Sequence, residues 1–284
     1  MKRSYLFVPA DSERKLSKAS DSGADALILD LEDSVTAAAR PAARAIAADY
    51  LNGSENVWVR INAIDSEDAA ADLAAVVPSA PAGIILPKPR SAADAVQLGS
   101  QLDVLEKTHG IDVGQTKIMP ICTERPEALF TLDGYIGATS RLAALSWGAE
   151  DLSAALGASA NRDEEGNWLP PYELARSFCL YAAAAAEVAA IDTVYTDYKD
   201  AAGLAQYAAN ARRDGFSGML AIHPAQVEVI NNAFVPATEE IERAERIVAL
   251  FNDNPGAGTL GMDGEMIDRP HLVQAQRLLQ RQEK

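Results

Sequence analysis

Eight short apolar runs recur along this chain with alanine-rich segments between them, and that alternation restricts the fold more than any other feature. The runs are "SYLFVPA" (4–10), "ALILDLED" (26–33), "NVWVRIN" (56–62), "AGIILPKP" (82–89), "TKIMPICTE" (116–124), "LAALSWGAEDL" (142–152), "AIDTVYTD" (190–197) and "GMLAIHP" (218–224). The intervening segments 36–52, 66–77, 91–109, 172–189 and 199–213 space their apolar residues as helices do. Strand and helix in repetition make a parallel sheet, and eight such units close into a barrel of about 250 residues. The sequence therefore predicts an α/β fold, a TIM barrel. A doubly wound open sheet is the alternative, but it usually carries a Gly-rich first turn, and "VPADSERK" contains no glycine.

Two regions fall outside the strand-helix period. The polar stretch 150–171 reads as an extended loop after the sixth strand. Near the end, "PATEEIERAERIVALF" (236–251) has a helix-start signature, a Gly-rich hinge follows, and an amphipathic helix is predicted over 271–282. The expected division is a barrel over 1–235 and a C-terminal helical extension over 236–284.

A formal net charge of -16 excludes most nucleic-acid and anionic-membrane partners, because both need a basic face. A small anionic ligand is still compatible, since local charge can oppose the global sign; Arg3, Arg14, Lys15 and Lys18 form one basic group. Cys122 and Cys179 are too few for a disulfide framework and read as reduced, buried thiols. The N-terminus has only four apolar residues before Pro9, too few for a signal peptide, and no segment is long enough to span a bilayer. A cytoplasmic protein is expected.

Polar residues collect where the apolar runs end: Asp30 and Glu32, Arg60, Lys88, Glu124, Glu150 and Asp151, Asp197, His223. In a barrel these ends share one rim, the face that carries the active site of such folds. Asp30 and Glu32 lie two apart and so share a side of their strand, facing the axis. Glu124 and either Glu150 or Asp151 would converge on the same space. Carboxylates with few histidines or thiols suit a hard cation, Mg²⁺ before zinc.

Each residue also has an ordinary structural reading. Strand-end acids often cap the next helix. Arg60 serves equally as an ion-pair partner of Asp30 or Glu32 and as a substrate contact. Lys88 in "PKP" reads as a helix-start turn before a Schiff-base lysine. Cys122 shares the inward face of Glu124 in this reading but lacks a partner histidine. His223 reads as structural, and His109 and His271 carry no site argument.

The motifs "RSYLFVPA", "LILDLEDSV", "VWVRIN", "PICTE", "WGAEDL", "AIDTVYTD", "GFSGMLAIHPAQVEVINNAFVP" and "GEMIDRPHLVQA", in this order from Arg3 to about Gln276, resemble the citrate lyase beta-subunit-like branch of the CoA-ester lyase (HpcH/HpaI aldolase) family. The resemblance implies a TIM barrel that uses Mg²⁺, or Mn²⁺ in its place, to cleave or form the carbon-carbon bond of a 3-hydroxyacyl-CoA thioester. It assigns Glu124 and Asp151 as metal ligands and Arg60 as the contact to substrate and enolate oxygen. Glu32 and Asp33 would hold metal waters and Arg60, and Arg14 and Lys18 would reach CoA phosphates. Asp268 matches the family's acid/base aspartate, supplied by a neighbouring subunit, which implies a homo-oligomer, a trimer or a multiple of one. On local grounds Asp268 is also an N-cap before Pro270. Arg125 stands where relatives often carry small residues and is a candidate contact for a second substrate carboxylate.

The implied activity is a malyl-CoA or citramalyl-CoA type lyase with acyl-CoA and 2-oxo acid as small-molecule partners. The alternatives are the beta subunit of a citrate lyase acting on a carrier-protein thioester, a malyl-CoA thioesterase or malate-synthase-like activity, an aldolase acting on free acids, and a non-catalytic binding protein.

Overall fold

The computed structural model describes residues 2–282. The eight apolar runs form eight parallel strands: β1 Ser4–Pro9, β2 Ala26–Asp30, β3 Val57–Arg60, β4 Gly83–Leu86, β5 Lys117–Pro120, β6 Ala144–Ser146, β7 Ala189–Asp192 and β8 Gly218–Ala221. They pair in the order β5-β4-β3-β2-β1-β8-β7-β6. Parallel bridges Ile118↔Leu142 and Ile121↔Ser146 join β5 to β6 and close the ring. This is the TIM barrel expected.

Among the described residues seven α-helices connect the strands, α1 Glu13–Ser20, α2 Arg40–Leu51, α3 Asp68–Val76, α4 Ala92–His109, α5 Ala149–Leu156, α6 Pro170–Ala185 and α7 Ala201–Asp214; β5 and β6 are joined by 3-10 turns alone, and both α5 and α6 lie between β6 and β7. After β8 come α8 Pro224–Ala233, α9 Thr238–Asp253, a hairpin of β9 Thr259–Met262 and β10 Glu265–Asp268, and α10 Arg269–Gln282. No described helix is long and apolar enough to cross a membrane.

The barrel interior is filled by alternate residues of the strands, among them Tyr5, Ile28, Trp58, Ile85, Met119 and Ile191. Trp58 needs a glycine beside it. A Cβ on Gly83 would lie 2.3 Å from the indole ring. The intervening residues, such as Leu27 and Leu29, are also buried, so the strands read as continuous apolar runs and not as alternating ones.

Two compact units emerge, Lys2–Asn231 and a C-terminal unit that begins at Asn232. In the second, Ala244, Ile247, Phe251, Ile267 and Ala275 bury one another between α9, α10 and the hairpin. Two expectations are corrected here. The first turns of the predicted loop 150–171 belong to α5, and the Gly-rich hinge contains β9 and β10. The hairpin turns at Asp263 (φ 54°) and Gly264 (φ 82°), an Asp-Gly pair suited to the left-handed conformation.

Candidate active site

Parallel register sets the first contact. Asp30 and Arg60 are paired positions at the ends of β2 and β3. Arg60 grips Asp30 through two hydrogen bonds, from Nε at 2.7 Å and Nη2 at 2.6 Å. Asp30 also accepts the backbone N–H groups of Glu32 and Ser34. Burial opposes charge on Asp30, yet these bonds outweigh it and hold the carboxyl below its usual range. Arg60 lies over the Phe7 ring, 4.7 Å from its centroid, and its Nη1 faces Glu32 Oε2 at 3.2 Å. That Glu32 oxygen is buried without a hydrogen bond.

Lys88, placed on the rim by the sequence but given no partners there, is the centre of the group. It follows β4 by two residues, and its Nζ meets Glu32 Oε1, both oxygens of Asp33 at 2.9 Å, and Asp151 Oδ1 at 3.3 Å. Burial works against the ammonium, and the bonds to Glu32 and Asp33 outweigh it, so Lys88 is held protonated above the usual lysine range. A Schiff-base role needs the opposite shift. Nor does "PKP" start a helix, since α4 begins at Ala92.

Glu124 is buried beneath this group, 4% exposed, after β5. Its Oε2 accepts the Lys88 backbone N–H at 2.5 Å. Burial first, then repulsion from Asp151, pushes its carboxyl well above the ordinary range. Gly148 makes room for it, because a Cβ there would stand 2.6 Å from Glu124 Cγ. The Gly148 N–H donates to Thr123 Oγ1, which ties the end of β6 to the loop that carries Glu124.

Asp151, not Glu150, belongs to this group. Glu150 accepts from Asn161 Nδ2 at 2.9 Å on the exposed side of the loop. Asp197 lies beyond the end of β7 and accepts the Lys199 N–H in a turn. His223 is exposed, stacked on Tyr198 with centroids 4.8 Å apart. Arg125 is engaged by Asp65 at 3.0 Å. The Cys122 thiol meets Cys179 of α6, so it faces the helix layer and not the axis; both thiols are free and buried.

The basic group at the N-terminus divides. Arg3 precedes β1 and pairs with Asp25 at 2.8 Å. Arg14, Lys15 and Lys18 are exposed on α1, which starts just past the other end of β1. In the C-terminal unit, Asp268 ends β10 and its Oδ1 lies 2.5 Å from His271 Nδ1. Three residues separate the two across the start of α10, a signal that a lone reading of His271 overlooked.

Comparison with known proteins places the chain in a family. Residues 3–224 match the model of the HpcH/HpaI aldolase/citrate lyase family. A citrate lyase subunit beta-like protein of Mycobacterium tuberculosis is 35% identical over 277 residues, covering 98% of this chain and 94% of its own. A (3S)-malyl-CoA thioesterase of Cereibacter sphaeroides is 32% identical, covering 99% and 94%. The crystal structure of CitE from M. tuberculosis in complex with magnesium, acetoacetate and coenzyme A superposes with a TM-score of 0.83 at 33% identity, covering 100% of this chain and 98% of that one. With a closed barrel, an acidic rim and a family match over most of its length, this chain belongs to the HpcH/HpaI aldolase/citrate lyase family.

Proposed function

We propose that the chain is a Mg²⁺-dependent carbon-carbon lyase that cleaves or forms a 3-hydroxyacyl-CoA thioester of the malyl-CoA or citramalyl-CoA type. The observation that carries this reading is the convergence on one rim of Arg60 from the end of β3, Glu124 from the loop after β5 and Asp151 from the first turn of α5.

The donor set fits the metal. Among the described residues no three His, Cys, Asp or Glu side chains form a cage. Mg²⁺ is held by one or two carboxylates and keeps several waters, so Glu124 and Asp151 suffice. The unbonded, buried Glu32 Oε2 supplies further support. When bound, the metal polarises the oxygens of the 2-oxo acid and so favours its departure.

The remaining work falls to side chains. Arg60, held by Asp30 through Nε and Nη2, keeps Nη1 to donate to a thioester enolate oxygen. Glu32 and Asp33 keep Lys88 and Arg60 in place and would accept from waters on the metal. Asp268, oriented by His271, exchanges the proton at the enolate carbon, and we assign it to the site of a neighbouring copy in a trimer or a multiple of one. Arg14 and Lys18, exposed beside the rim, suit CoA phosphates.

The test is incubation of the purified protein with Mg²⁺ and malyl-CoA or citramalyl-CoA, separately, following acetyl-CoA, 2-oxo acid and free CoA. Acetyl-CoA with glyoxylate or pyruvate, lost with EDTA and in Asp268→Asn, is expected. Free CoA without 2-oxo acid would favour the thioesterase, as the Cereibacter relative's name suggests. No turnover of either ester would favour the carrier-protein subunit.

A further inference from the structure

One backbone outlier lies at the centre of the rim. Lys88 has φ +50°, in the left-handed region that residues with a side chain seldom occupy. Pro89 follows it, and a residue before proline is steered toward extended conformations, so the position is unfavourable twice over. Such outliers persist where surrounding contacts over-determine them, and the inference runs from the outlier to a role.

Here the contacts are specific. The left-handed turn aims the Lys88 backbone N–H at Glu124 Oε2 and sends the ammonium the other way, onto Glu32, Asp33 and Asp151. One residue thus touches all four acids of the group, and it binds the two proposed metal ligands through different atoms. Its side chain is only 22% exposed and Glu32 is 6% exposed, so water screens that pair poorly, while Asp151 at 35% and Asp33 at 54% lie nearer solvent.

We propose that Lys88 is a positioning residue with a resident counterion: its backbone fixes one oxygen of Glu124, and its ammonium balances Asp151, Glu32 and Asp33 and competes with the divalent cation for them. The inference rests on the metal reading given above. Its consequence is that Lys88 weakens cation binding while holding the acidic group together. A cation engaging Asp151 takes over part of the charge that Nζ neutralises.

The experiment is calorimetric titration of Mg²⁺ into wild type, Lys88→Gly and Lys88→Gln, with melting temperatures in EDTA and in saturating Mg²⁺. Glycine suits the left-handed turn and keeps the N–H to Glu124, so it removes the ammonium alone. Glutamine serves if the glycine variant does not fold. Removal of one positive charge beside the cation should tighten Mg²⁺ about tenfold. Each variant should melt lower than wild type in EDTA and regain most of the difference in Mg²⁺. Unchanged or weaker Mg²⁺ binding in a folded variant overturns the proposal. Absence of Mg²⁺ binding by wild type would instead overturn the metal reading, so the two failures are distinct.

Discussion

Glu124 can lie beneath the acidic group because residue 148 has no side chain. Gly148 has φ −124° and ψ 120°, a conformation open to any residue, so alanine there introduces no backbone strain. The added Cβ meets Glu124 Cγ at 2.6 Å, which is the middle of that side chain and not its flexible tip. Gly148→Ala should therefore move the Glu124 carboxylate while the barrel stays folded, at a cost of about 1–3 kcal/mol for overpacking. Mg²⁺ titration checks it: affinity should fall at least about tenfold, the effect of misplacing one charge-bearing ligand. Wild-type affinity in a folded Gly148→Ala protein would remove Glu124 from the metal site. The sequence contained this glycine within "WGAEDL", but nothing in its neighbours told that its partner was 24 positions earlier, at Glu124.

The strands were legible because each is buried on both faces, and a parallel barrel writes that as a short apolar run. Their C-terminal ends were not, since Glu32, Asn62, Lys88 and Glu124 continue the runs into the rim loops. The β9–β10 hairpin was lost among glycines, although Asp263-Gly264 between Met262 and Glu265 carried its turn signal. Of the pairings distant in sequence, that of Arg60 with Asp30 and Glu32 was legible and most others were not. The clearest of those others is at the seam between β5 and β6, where only isolated bridges close the ring. Buried Glu106 of α4 accepts the N–H groups of Gly114 and Thr116, each at 2.8 Å, and pairs with Arg141, which is 3% exposed. Arg141 in turn presents its carbonyl to Ile118 of β5. Burial opposes charge on Glu106, but these bonds hold its carboxyl down to about 2 from 4.5. A depressed folded value means that the stabilisation is complete above about 4.5 and is lost as pH falls through about 2. Unfolding free energy should accordingly decline over that window. In Glu106→Gln this part of the decline should vanish, stability at pH 7 should drop by about 2 kcal/mol because Arg141 loses its buried carboxylate and keeps only Asp103 and the Thr116 carbonyl, and Mg²⁺ affinity should stay as in wild type. Denaturant titrations across pH, with and without the substitution, measure all three.

At the scale of the whole molecule, the proposed chemistry needs groups from both compact units, and the copy that supplies Asp268 decides the assembly. The barrel holds Arg60, Glu124 and Asp151; the C-terminal unit holds Asp268 with His271. A chain with net charge -16 gains nothing electrostatically from self-association, so copies that meet must do so for specific contacts. Complementation tests whether catalysis is one of the reasons. Arg60→Met lacks the guanidinium of the barrel site, and Asp268→Asn lacks the proposed acid/base carboxylate; each alone should turn over thioester far more slowly than wild type. When the two are unfolded together, mixed and refolded, an assembly that shares Asp268 between copies contains some barrels with an intact Arg60 beside an intact Asp268 from the other variant. Lyase activity should then recover in part. If Asp268 serves its own barrel, every site in the mixture carries one lesion and activity stays at the level of the separate variants. Sedimentation of the mixture, run alongside, separates that result from a failure to assemble, since recovery is required only where oligomers form.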